Sequence, residues 1–240
     1  MSSPETRRLA LVGYGKMGRM VEALAPEFGF EVRLKLDIAN NARFEGLTPE
    51  NFAGIDVAIE FSTPEAAPEN LVRLAALGVN TVTGTTGWLA EVDRVRQAVA
   101  RHGTGLVWAP NFSIGVNIFA RLISEAARLL AAHADYGAWG WELHHDAKRD
   151  APSGTLLMLV EAMRQAGWDR PVSTASNRAG RHPGVHEIGF DSAADTITLR
   201  HTARSREGFA RGALYAARWI AGKRGFYEFR EILFSPPELA

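Results

Sequence analysis

The 240-residue chain contains no cysteine. Disulfides, thiolate nucleophiles, iron–sulfur centres and cysteine-based zinc sites are therefore excluded together. An excess of either charge is also missing, since 27 Lys and Arg balance 27 Asp and Glu. That balance points to neither nucleic acid nor an anionic membrane as a partner, while leaving room for a local basic pocket that holds a small anion. No apolar run approaches the roughly 20 residues of a membrane span, and the run behind the basic start of the chain is too short for a secretory leader. A cytoplasmic protein is expected. Repeats, heptads and low-complexity segments are absent as well. What remains is a composition of 46% apolar and 22% charged residues, ordinary for a soluble globular protein. The length suits one large domain or two smaller ones.

The first half alternates short apolar runs with helical patterns. Strands are expected at 8–12, 31–37, 55–61, 80–83 and 106–109, with helices between them. Pro64 marks a helix start, Gly78 its stop, and residues 89–101 form another helix. This order argues a parallel sheet with helices on both faces. The second half differs. Helices are expected at 116–132, 155–165 and 207–220, and extended segments at 136–144, 185–190 and 196–201. The last two extended segments are too close for a crossover helix, so an antiparallel hairpin joins them. Residues 169–183 are polar and basic and read as a long loop that could tighten over an anion. A short aromatic tail ends the chain. Two domains are expected, divided near Pro110.

Gly13-Tyr-Gly-Lys-Met-Gly18 follows the first strand and opens a helix. In that setting Gly13 allows the tight turn, Gly15 lets the backbone approach a pyrophosphate, and Gly18 lets helix and strand pack closely. The helix start at Lys16 and Met17 supplies N–H donors and positive dipole. Asp37, closing the second strand, is placed to accept from an adenosine ribose. It favours NADH, because a 2′-phosphate would meet like charge, although Lys16 could offset that repulsion. Either NADH or NADPH is therefore compatible with the loop. Phe61-Ser-Thr-Pro64, Gly84-Thr85-Thr86-Gly87 and Ala109-Pro110-Asn111-Phe112-Ser113 each follow a strand end and converge on the crevice of a parallel sheet.

Residues 141–155 read WELHHDAKRDAPSGT. A metal site is not expected here: His144 and His145 are adjacent, so they point to opposite faces of a strand, and no H-E-x-x-H pattern occurs. A nucleophilic Ser153 lacks the G-x-S-x-G elbow. The segment Ser153-Gly154-Thr155 precedes an apolar helix, whose N–H groups suit a carboxylate or phosphate. Ser153 serves equally well as the cap of its own helix. Two histidines and Lys148 beside such a helix start make an acid–base site for an anionic substrate. Read from residues alone, a reductase acting on another imine or aldehyde acid shares these features. A nucleotide-sensing oligomer would not need a placed proton donor.

The 142–155 segment resembles the signature of the 4-hydroxy-tetrahydrodipicolinate reductases, long called dihydrodipicolinate reductases. The likeness extends through the glycine loop, EFSTP at 60–64, GTTGW at 84–88, APNFSIG at 109–115, PGVHEIGF at 183–190 and the 208–223 segment. It implies an α/β protein in two parts. A Rossmann-type nucleotide domain with a mostly parallel sheet would span 1–110, completed by 214–240. An α+β substrate-binding and tetramerisation domain with a mixed sheet would span 111–213. It implies NAD(P)H-dependent reduction of a cyclic dicarboxylate in the diaminopimelate route to lysine, with closure of the two domains around it, and a homotetramer. By position, His144 matches the catalytic acid and Lys148 the residue that binds substrate and assists the chemistry. His145 matches a carboxylate ligand, and Ser153, Gly154 and Thr155 the anion cradle. Gly84, Thr85, Thr86 and residues 109–112 match the loops around the nicotinamide. Two positions depart from some members: Ala147 replaces a further histidine, and Ile38 replaces an arginine after the strand-two acid, which weakens NADPH binding.

Overall fold

A computed structural model describes residues 6–235. The first five residues of the segment read above for a leader, and the last five of the 214–240 segment, lie outside the described residues. Among those described, no helix is long and apolar enough to cross a membrane. The chain divides into two compact units, Met1–Ser113 with Phe209–Ala240, and Ile114–Gly208.

The first unit is built on a six-stranded sheet. Its strands are β1 (Arg7–Val12), β2 (Phe30–Leu36), β3 (Val57–Glu60), β4 (Asn80–Thr83), β5 (Gly105–Trp108) and β10 (Gly225–Glu228), in the order β10-β5-β4-β3-β1-β2. Every pairing is parallel. Leu9–Val12 and all of β3 are buried, as expected where helices cover both faces and strands become near-continuous apolar runs. The helices are α1 (Lys16–Leu24), α2 (Ile38–Asn41), α3 (Ala67–Ala76), α4 (Val92–His102), α7 (Glu207–Ile220) and α8 (Phe229–Leu233). One layer packs Leu36, Phe52 and Leu74 against the sheet, another Leu71, Trp88, Val95 and Leu106. Each such fully buried side chain stabilises the fold by roughly 1.5–3 kcal/mol. Two local expectations change. The α3 helix starts at Ala67 rather than Pro64, with Pro68 in its first turn, where a missing N–H costs nothing. The aromatic tail is not a tail: β10 adds an edge strand beside β5 and leads into α8.

The second unit holds a four-stranded sheet in the order β7-β6-β8-β9. Its strands are β6 (Gly137–His144), β7 (Val172–Arg178), β8 (Val185–Asp191) and β9 (Thr196–Thr202), with helices α5 (Ile114–Leu130) and α6 (Gly154–Gln165). The sheet is mixed: β7 runs parallel to β6, and β8 antiparallel to both β6 and β9. The hairpin expected between β8 and β9 is present. Residues 169–183 are not one loop, however, because β7 occupies their middle. The crossover through α6 is what permits a parallel return beside β6. Arg170 is not free to close over an anion either; its guanidinium stacks on Trp168 and donates to the carbonyls of Leu130 and Ala131. Phe119, Ile123, Leu156, Leu159, Met163, Trp168, Ile188 and Phe190 form the core between sheet and helices.

Candidate active site

In a parallel sheet all loops that follow strand ends share one edge, and the expected nucleotide residues of the first unit fall there. A cleft of about 420 Å³ takes in Gly13, Gly15, Asp37, Ile38 and Phe61. Gly13 has φ +94°, and a Cβ on it would lie 2.1 Å from the Phe61 carbonyl oxygen. A Cβ on Gly18 would meet the Gly13 oxygen at 2.5 Å. The protein itself imposes these two glycines. Gly15 is different, because a Cβ there would meet nothing within 4 Å. The space before it is left for something other than protein, and it lies at the start of α1, which has no side-chain cap. The residues present thus fit a pyrophosphate. Lys16 and Met17 supply the first N–H groups of that helix.

Asp37 caps α2, accepting from the Ile38 N–H at 2.8 Å, and Ile38 is 81% exposed. None of the residues lining this cleft is cationic. Further along the edge, the Phe61 ring lies over Gly84, which has no room for a Cβ. Thr85 turns inward, donating to Glu60 at 3.1 Å and accepting from Ser62 N–H at 2.9 Å. Phe112 is buried against Phe229, with ring centroids 4.9 Å apart, and its carbonyl packs against Gly212 of α7, so it supports the loop from behind. Thr86 and Pro110 are exposed, Ala109 is buried, and the Asn111 side chain accepts from Ser113 N–H. Glu60 was not anticipated. Fully buried, it gathers the Ser62, Thr83 and Thr85 hydroxyls and the Ser62 N–H, which ties two of these loops together. Burial nevertheless pushes its carboxyl above the usual range, against those hydrogen bonds.

In the second unit, alternation along β6 sends Glu142 and His144 to the face covered by helices. Register then brings Ser176 and His186 opposite Glu142, and Arg178 opposite His144. Glu142 is fully buried. Its Oε1 accepts from Ser153 N–H, Ser176 Oγ and Arg178, each at 2.8 Å. Its Oε2 accepts from the Ser153 hydroxyl, which also lies 3.2 Å from His186 Nε2. Burial alone would raise this carboxyl, but the Ser153, Arg178 and Ser176 hydrogen bonds outweigh it and hold the group at about 2. Burial lowers both histidines, His186 to about 4, so His186 is neutral at pH 7.

His144 closes β6 at 6% exposure, its ring 5.0 Å from that of His186. His145 follows, half-buried, in the loop before α6. Lys148 donates to Asp150 at 2.7 and 2.9 Å. The Asp150 carboxyl is held low by Lys148 first, and the Gly154 N–H at the start of α6 contributes. Gly154 and Thr155 open that helix. Ser153 is buried, caps α6 through the Leu156 N–H, and gives its own N–H to Glu142. Of the expected cradle, only Gly154 and Thr155 remain available. Glu142, His144 and His186 could offer three donor atoms to a metal ion. The Ser153 hydroxyl already lies against two of those atoms and Arg178 neutralises the carboxylate, so the set does not fit a cation.

The comparisons bear on both units. Residues 7–112 match the family described as dihydrodipicolinate reductase, N-terminus, and residues 115–233 match dihydrodipicolinate reductase, C-terminus. A 4-hydroxy-tetrahydrodipicolinate reductase of Christiangramia forsetii is 33% identical, covering 94% of this chain and 97% of its own. One from Archaeoglobus fulgidus is 36% identical over 94% of this chain and 99% of its own. Among solved structures, the dipicolinate-bound dihydrodipicolinate reductase of Paenisporosarcina sp. TG-14 shares the fold, with a TM-score of 0.75 at 23% identity. It covers 95% of this chain and 99% of that one. With both halves matched and relatives aligned over nearly their whole length, the chain belongs to the dihydrodipicolinate reductase family.

Proposed function

We propose that this chain reduces 4-hydroxy-tetrahydrodipicolinate to tetrahydrodipicolinate with a nicotinamide nucleotide, a step of the diaminopimelate route to lysine. The observation that carries this reading is that, in a member of that family, His144 stands beside the buried Glu142 carboxylate while Lys148 and the start of α6 meet at Asp150 in the loop that follows. The nucleotide, when bound at the strand-end edge of the first unit, would supply the hydride to the C=C bond left once the 4-hydroxyl has departed as water, and the ring imine is retained in the product. Gly13, Gly15 and the N–H groups of residues 16–18 hold its pyrophosphate, and Asp37 its ribose. Phe61, residues 84–86 and residues 109–112 line the nicotinamide end.

Two carboxylates on a small ring require two polar anchors. Lys148 provides a point charge, the N–H groups of Gly154 and Thr155 provide a helix start, and His145 reaches the same anion. His144 delivers the proton to the ring carbon that gains electron density. For the nucleotide we infer a preference for NADH: Asp37 opposes a 2′-phosphate and the cleft beside it offers no cation.

Association into a homotetramer is assigned to the sheet face turned away from α5 and α6. There Trp139, Trp141, Glu187 and Arg200 surround a cleft of about 450 Å³.

The test is loss of NADH absorbance with freshly generated substrate. No consumption by folded protein that binds NADH would refute the assignment. Parallel titrations should give tighter NADH than NADPH, and the reverse order would overturn the cofactor preference. His144→Gln should lower kcat by about 100-fold or more while the NADH Kd stays put; an unchanged kcat removes His144 as the acid.

A further inference from the structure

Glu142 belongs to no role considered so far, yet every polar atom around it is arranged on its account. Its Oε2 lies 3.6 Å from Nδ1 of His144, and that Nδ1 is buried with no hydrogen-bond partner. We infer that Glu142 is a positioning residue for the acid: its carboxylate takes the Nδ1–H of His144, so that the transferable proton is carried on Nε2. This rests on the reading of His144 as proton donor.

Proton counting supports it. An ionised carboxylate offers about four acceptor sites and no proton. Oε1 already receives three donors, whereas Oε2 receives one, the Ser153 hydroxyl. The hydroxyl has a single proton and spends it on Oε2. It accepts in turn from Leu156 N–H, so His186 must approach it with Nε2–H and stays a neutral donor. His186 Nε2 also stands 3.5 Å from Oε2, but it is closer to the hydroxyl and has that partner, whereas the Nδ1 of His144 beside the remaining acceptor site of Oε2 has none. The 3.6 Å separation is long for a hydrogen bond. Catalytic hydrogen bonds are often long before ligands bind and tighten afterwards. On the other side of the ring, Gly184 has φ +154°, and a Cβ there would sit 3.1 Å from His144 Nε2. The missing side chain keeps room beside the atom that carries the proton.

Four charged groups act on the charge of His144, and the His186 ring packs beside it. Glu142 comes from its own strand, His186 from β8 and Arg178 from β7, while Lys148 and Asp150 lie in the loop before α6. Burial, Lys148 and Arg178 all disfavour the imidazolium; Glu142 is the foremost group favouring it.

The experiment has two arms. Long-range 15N–1H spectra of histidine-labelled wild-type protein, with His144 assigned through His144→Gln, should show the neutral ring protonated on Nδ1. Protonation on Nε2 of the neutral ring overturns the inference, and this arm needs neither turnover nor a Glu142 variant. In Glu142→Gln the fall of kcat with rising pH should begin at least about half a unit lower, with kcat at pH 7.5 down about tenfold. Glu142→Asp should recover part of the loss, and NADH affinity should not move. An unshifted kcat profile also overturns it. Absence of turnover in the wild type would defeat the proposed reaction instead, leaving the tautomer measurement to stand on its own.

Discussion

Two glutamates, Glu60 and Glu142, are both buried completely, and their surroundings treat them in opposite ways. Glu60 has hydroxyls and an N–H around it but no cation, so burial wins and its carboxyl is raised. Glu142 has Arg178 in addition, and is held at about 2 against the ordinary 4.5. A lowered carboxyl stabilises the fold above the unfolded value, and that contribution is lost as pH falls through the folded value. His186 acts in the same direction. Lowered from 6.5 to about 4, it contributes fully above pH 6.5 and progressively less on acidification. The second unit should therefore weaken continuously between pH 6.5 and 4 from His186, and further from 4.5 towards 2 from Glu142. Glu60 contributes with the reverse sign in the first unit, its share being lost as pH rises. Urea midpoints followed at several pH values through tryptophan fluorescence would check this; a midpoint that does not move between pH 7 and 4 contradicts it. Neither Glu142 nor His186 was singled out for this role from the sequence, though a signal existed. Each occupies an inward position of an alternating strand, WELH and VHEIGF, where an apolar residue is the ordinary occupant.

Among the elements, β7 shows why the reading of the chain stopped where it did. The parallel sheet of the first unit was legible because its strands are buried on both faces and appear as apolar runs. The helix start at Ser153 and the turn at Gly13 carry their own chemistry, whereas Pro64 misplaced the start of α3 by three residues. VSTASNR carries none of these marks. It is an edge strand with one side of its backbone unpaired, and its inward residues Ser176 and Arg178 are polar because they serve Glu142. The alternation that identifies a strand was thus erased by the function of the strand. The four-residue β10 was illegible for another reason: it is defined only by pairing with β5, more than a hundred residues earlier. Hydrogen exchange separates strand from loop. Those amides of 172–178 that face β6 should be protected at every second position to about the level of β6 itself. Uniformly fast exchange across the segment would restore the loop.

For the whole molecule, the order of the units matters more than their boundaries. The chain completes five strands of the first sheet, builds the second unit, and returns to add β10 to the first. Folding of the first unit thus needs residues from both ends of the sequence, a non-local pairing of the kind that slows folding. The second unit, made from one continuous stretch, presents a sheet face with two tryptophans. If that face joins four copies, Trp141→Glu should remove the apolar ring from the contact, bring a carboxylate into it, and shift the sedimenting species from tetramer to smaller forms. Retention of the tetramer would move the interface elsewhere.

Without substrate, Lys148 is not bare. It holds Asp150, and the same carboxylate draws on the Gly154 N–H at the start of α6. The protein thus keeps an anion of its own at the place proposed for the substrate's carboxylate. Arrival of the ligand is then an exchange of one carboxylate for another and not the neutralisation of a vacant charge. What such an exchange measures is geometry: a ligand with a single carboxylate gains little over the one it evicts, and a second carboxylate at the right separation is what tips the balance.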